Sequence, residues 1–151
     1  PPWAWPSPPP SGLNPPPPPP AAESFEASLA EAKSRSTLVV ADFYADWCHV
    51  CTRMKADTWS DAGVQNRLED FVFVRINTDR QPALANRYRI EGLPTTLILA
   101  PDGKPVAGRV GYMEPADLTS MLDETRDQTR AGQGPVTNTN STATTESAPS
   151  S

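Results

Sequence analysis

Cys48 and Cys51 are the only cysteines in 151 residues, three positions apart in Trp47-Cys48-His49-Val50-Cys51. They follow an apolar run, Thr37 to Tyr44, that reads as a buried strand. A Cys-x-x-Cys opening a helix just after a strand suits dithiol redox chemistry. Unpaired backbone N–H groups at the helix start favour the thiolate of the first cysteine over its thiol. The second cysteine lies one turn on, within reach of a mixed disulfide formed on the first. Other uses of the pair fit less well. A zinc site needs about four ligands, and the only histidine, His49, lies between the cysteines. A structural disulfide would close a very short loop, where loop-entropy stabilisation is small. Two inert buried cysteines at chance spacing are the bland alternative. The spacing favours redox chemistry.

The elements that must hold this pair lie in the middle of the chain. Residues 1–22 contain 12 of the 19 prolines, including the run Pro15 to Pro20, and read as an extended polyproline II linker. Residues 131–151 are mostly small and polar with one acid, Glu146, and are expected to stay disordered. Residues 23–130 remain for one modest core. They carry all 13 Lys and Arg against 17 of the 18 acids. A net charge of −5 without a basic block argues against nucleic acid and against an anionic membrane surface. No apolar run approaches the roughly 18 residues of a membrane span, so no direct membrane insertion is expected. The chain opens on Pro1-Pro2 rather than Met, so we expect a processed or excised form. The Pro-rich lead reads as a tether, with Trp3 and Trp5 as an alternative docking motif.

Ser24 is a candidate cap for a first helix with Phe25, Leu29 and Ala32 on its apolar face. After the strand and the dithiol, Asp61 or Ser60 caps a helix carrying Val64 and Leu68. Phe71 to Ile76 is a second buried strand, and Pro82 to Arg87 a helix. Thr95 to Leu99 and Val106 to Val110 form a hairpin around Pro101-Asp102-Gly103-Lys104. Pro115 opens a final helix with Leu118, Met121 and Leu122 inward. This order predicts an α/β fold, a mixed sheet of about four to five strands with helices on both faces.

Asp42-Phe43-Tyr44-Ala45-Asp46-Trp47-Cys48, Gly92-Leu93-Pro94-Thr95 and Gly111 together resemble the thioredoxin superfamily, over roughly residues 24–127. Within it, Ala45-Asp46-Trp47-Cys48, Thr58-Trp59-Ser60-Asp61 and Gly111-Tyr112-Met113-Glu114 are most similar to the C-terminal, extracytoplasmic domain of the DsbD-type thiol:disulfide interchange proteins. Two departures stand out: a polar tail follows the domain, and His49-Val50 replaces the Gly-Pro of cytoplasmic thioredoxins. The resemblance implies the thioredoxin fold, with Cys48 as nucleophile and Cys51 as resolving thiol. It implies that Asp42 is a buried carboxylate that takes the Cys51 proton; a solvent-facing Asp42 on a sheet edge is the alternative. Trp47 is expected to cover the dithiol as an apolar lid, or else to be an ordinary packed aromatic. Pro94, expected cis, would hold the Leu93 backbone beside the dithiol for an extended partner strand.

Arg75 occupies the place of a lysine in that resemblance; it is read either as a partner of Asp42 or as a surface residue. His49, as imidazolium, would stabilise the Cys48 thiolate, or else simply face solvent. Asn140-Ser141-Thr142 fits a glycosylation sequon, which a Ser/Thr/Asn-rich tail produces by chance.

The expected function is thiol–disulfide exchange with protein thiols and disulfides, without a bound cofactor, on the reducing side of an extracytoplasmic compartment such as the periplasm. The resemblance implies a membrane electron-donor protein as a further partner. With no spare cysteine, a monomer is expected. The alternatives are an oxidase- or isomerase-type exchanger, and a non-catalytic binding module that presents the Leu93–Pro94 edge.

Overall fold

Val39 to Phe43 are at most 1% exposed, so β1 (Val39–Tyr44) is covered on both faces and forms the axis of the sheet. The structure, a computed structural model, describes residues 21–130, with side chains from Ser24 onward. The expected polar tail and all but the last two residues of the expected Pro-rich segment lie outside the described residues. β1 pairs in parallel with β2 (Val72–Asn77) and antiparallel with β3 (Thr95–Leu99). β3 in turn pairs antiparallel with β4 (Pro105–Val110), giving the order β2-β1-β3-β4. The sheet is mixed, as expected, and holds four strands among the described residues.

Successive side chains of β1 point to opposite faces. Val39, Ala41 and Phe43 join Phe25, Val74, Ile76 and Leu84 in one apolar cluster. That face is covered by α1 (Ala21–Arg35) and α4 (Pro82–Arg87). Val40 points the other way, into a cluster with Met54, Trp59, Val64, Leu118 and Leu122. The covering elements there are α2 (His49–Met54), α3 (Ala62–Leu68) and α5 (Pro115–Arg130). Asp42 shares the Val40 face, so alternation alone aims a carboxylate toward the helix that carries the dithiol.

A parallel pair needs a long crossover, and α2, a π-helical turn at Lys55–Trp59 and α3 supply it between β1 and β2. The π-helical turn was not expected from sequence. It lets Thr58 and Trp59 both turn inward, at 0% and 4% exposure. Asp61 is the N-cap of α3, its Oδ2 accepting the Val64 N–H at 3.1 Å. Ser24 is not a cap. Helix α1 already includes Ala21, and the Ser24 carbonyl accepts a bond from Ser28 Oγ at 2.8 Å within it.

Candidate active site

Chain direction places the dithiol at the carboxyl end of β1, where the strand leaves the sheet at Tyr44 and turns through Asp46-Trp47. Cys48 is the N-cap of α2, and its Sγ accepts the Cys51 N–H at 3.1 Å. A sulfur in that position meets the positive end of the helix, and that interaction strengthens when the sulfur becomes an anion. Cys48 and Cys51 form a disulfide with their Cα atoms 5.2 Å apart. Cys48 is 7% exposed and Cys51 3%, so both residues are buried. Ala45, Tyr44 and Leu93 pack directly around the pair.

Asp42 is buried, at 1% exposure, which removes the edge alternative. Its Oδ2 accepts a hydrogen bond from Arg75 Nε at 2.9 Å, and its Oδ1 has no hydrogen-bond partner among the described residues. Burial lifts this carboxyl above the ordinary range, while the Arg75 guanidinium pulls it partly back. Arg75 is therefore a partner of Asp42 and not a free surface residue. The β1–β2 register sets Asp42 opposite Arg75, and the guanidinium carbon lies 3.8 Å from the centroid of the Tyr44 ring. A cleft of about 190 Å³ opens beside Cys51, walled by Tyr44, Asp46, Lys55 and Arg75. A water molecule occupies about 30 Å³ in the liquid, so the cleft has room for water near the Cys51 sulfur.

The Leu93–Pro94 peptide is cis, as expected, and Pro94 is buried. Leu93 lies against the cysteine pair, and Gly111 donates its N–H to the Pro94 carbonyl at 2.7 Å. Gly111 has φ +103, a region that L side chains rarely adopt, so glycine suits this return bond. Trp47 is 66% exposed, with its indole N–H donating to Asp79 Oδ2 at 2.9 Å. It is not a packed core aromatic; Asp79 anchors it at the surface beside Cys48. His49, the first residue of α2, is solvent-exposed.

The large apolar side chains left exposed among the described residues are Trp47, Val50 and Val110. Trp47 precedes Cys48, and Val50 lies between the two cysteines. Val110 pairs across the hairpin with Thr95, the residue after Pro94. All three border the same site, and Val110 was missed in the sequence because its nearness depends on the β3–β4 register. Among the described residues, no group of three or more His, Cys, Asp and Glu side chains could hold a metal ion.

A strand leading to an N-capping cysteine, a second cysteine one turn on, a buried carboxylate and a cis-proline loop together form a thioredoxin-type site. The thioredoxin-like domain family matches residues 25–126, and the chain belongs to it. The DsbD thiol:disulfide interchange protein of Salmonella paratyphi A is 34% identical over 131 residues, covering 81% of this chain and 23% of that protein. A thioredoxin-like protein of Synechocystis is 39% identical over 84 residues, covering 56% of this chain and 77% of its own length. The chain thus spans about a fifth of the DsbD relatives it matches.

Among solved structures, a Thermus thermophilus thioredoxin superposes with a TM-score of 0.65 at 28% identity, covering 72% of this chain and 88% of that one. The oxidised C-terminal domain of Neisseria meningitidis DsbD gives 0.60 at 26% identity, covering 70% and 95%. The site is that of a thiol–disulfide oxidoreductase near the DsbD type.

Proposed function

We propose that this domain passes electrons from its Cys48–Cys51 dithiol to disulfides of protein partners, on the reducing side of an extracytoplasmic compartment. The observation that carries the exchange chemistry is Cys48 as the N-cap of α2, its sulfur bonded by the Cys51 N–H. In the reduced form the Cys48 thiolate attacks a partner disulfide. One S–S bond forms between the two proteins and the partner's other sulfur leaves as a thiolate. Cys51 then loses its proton and attacks Cys48 Sγ. The internal disulfide forms, the mixed disulfide breaks, and the partner departs with two reduced sulfurs. Asp42 accepts the Cys51 proton, with water in the cleft that Cys51 and Arg75 line as the relay. Because Arg75 stays protonated, it holds the carboxylate in place but does not share its proton.

Trp47, Val50 and Val110 give the partner an apolar landing surface, and the Leu93 backbone offers a short edge for its strand. The DsbD relatives are named as thiol:disulfide interchange proteins, and the reducing direction and the compartment are what the resemblance to the DsbD type implies. No helix among the described residues is long and apolar enough to cross a membrane. Electrons would therefore reach this domain from a separate membrane donor or from another part of a longer chain. In cells quenched with acid and alkylated, Cys48 and Cys51 are expected mostly as thiols by mass shift. A pair found mostly as disulfide contradicts the reducing direction.

A further inference from the structure

A segment far from the cysteines in sequence, Gly111–Met113, joins the two halves of the site. The π-helical turn continues the dithiol helix, and from it Thr58 Oγ1 donates to the Met113 carbonyl at 2.6 Å. Asp57 Oδ2, on the same turn, accepts the Tyr112 hydroxyl at 3.1 Å. The Arg53 guanidinium, one turn earlier on α2, stands 4.9 Å from the centroid of the Tyr112 ring. Gly111, next in line, holds the Pro94 carbonyl through its N–H at 2.7 Å. Thr58 and Met113 are at most 1% exposed, so their bond is shielded from competing water. A continuous path of bonds therefore runs from the helix bearing Cys48 to the loop bearing Leu93 and Pro94.

We propose that Gly111–Met113 is a strap that fixes the dithiol helix relative to the Leu93–Pro94 loop, with Thr58, Asp57 and Tyr112 as positioning residues for protein substrates. A protein disulfide must meet Cys48 while its backbone lies along Leu93, so it needs both halves in register. A small disulfide needs only the sulfur. None of the three residues touches the reacting atoms, and their effect is on geometry. The inference rests on the reading that the natural partners are proteins.

The test uses the full chain with Thr58→Val, Tyr112→Phe and Thr58→Ser, the last retaining the hydroxyl. Insulin serves as the protein disulfide and 5,5′-dithiobis(2-nitrobenzoate) as the small one. Thr58→Val is expected to lower kcat/KM for insulin about tenfold, mostly through KM, since small misplacements weigh heavily on reaction rates. The ratio of insulin to small-disulfide rates falls accordingly, and Thr58→Ser restores it. Equal losses on both disulfides, or none on either, overturn the strap. Wild-type chain that leaves insulin oxidised overturns the protein-partner reading instead. Amide exchange then decides the strap alone: Thr58→Val should speed exchange at Gly111 about tenfold, with β1 unchanged. Unchanged protection at Gly111 overturns it.

Discussion

Cys48→Ser is expected to abolish turnover, and Cys51→Ser to turn the domain into a covalent trap for its partners. The first substitution removes the sulfur at the helix N-cap, and a serine hydroxyl cannot form a disulfide. The expected loss is on the order of 10⁴-fold or more, the scale of deleting a covalent nucleophile. In the second, the Cys48 thiolate still attacks, but no thiol one turn away can release the mixed disulfide. Non-reducing gels followed by mass spectrometry should show adducts with Cys51→Ser that dithiothreitol removes and that Cys48→Ser does not form. A non-catalytic binding module behaves differently. It keeps its partners non-covalently in both variants, and adducts absent from Cys51→Ser would favour that reading.

Asp42→Asn should slow resolution and at the same time stabilise the fold. The kinetic loss is expected to be about 10²-fold near neutral pH, within the range for a positioned general base. It should shrink as pH rises past about 8.5, where an ordinary thiol ionises without help. Stopped-flow release of a preformed mixed disulfide measures this step directly. The stability effect follows from burial. The folded carboxyl is raised above the ordinary aspartate value of 3.8, so the folded state holds this proton more tightly than the unfolded chain. Its contribution to stability is fully present below the unfolded value. It is lost as pH rises through the folded pKa and does not return above it.

Asparagine does not titrate, and its carbonyl can still accept from Arg75. Near pH 8 the variant should therefore be more stable than the wild-type chain, read as a higher Tm. The gain should vanish below about pH 4. Unchanged resolution together with higher stability would make Asp42 a structural residue only.

The dithiol was legible because it is encoded locally, whereas the buried carboxylate and the cis-proline loop were legible mainly through the family resemblance. Spacing puts Cys51 one turn after Cys48, and alternation along β1 puts Asp42 on the face opposite Phe43. What was not legible depends on register and on long-range packing. Arg75 could be read as surface or partner until the parallel pairing set it opposite Asp42. Val110 joined the site through the β3–β4 register, and Tyr112 and Thr58 through bonds 55 residues apart in sequence. The π-helical turn escaped because no residue type in Lys55–Trp59 marks an i→i+5 turn. The reading of Trp47 as a lid or a packed aromatic failed to anticipate its anchor, Asp79, which is 32 positions away. Ser24 looked like a cap by residue type, but helix α1 reaches back beyond it.

The reduction potential of the Cys48–Cys51 pair tests the central claim most directly. Equilibration of the full chain in dithiothreitol and glutathione buffers, read by tryptophan fluorescence and by mass after alkylation, gives it. A reversible two-electron couple below about −220 mV is the predicted result, on the reducing side of the known range. A value near −120 to −180 mV would place the domain among oxidases and isomerases and contradict the direction of flow. The absence of any reversible couple would contradict the exchange chemistry itself.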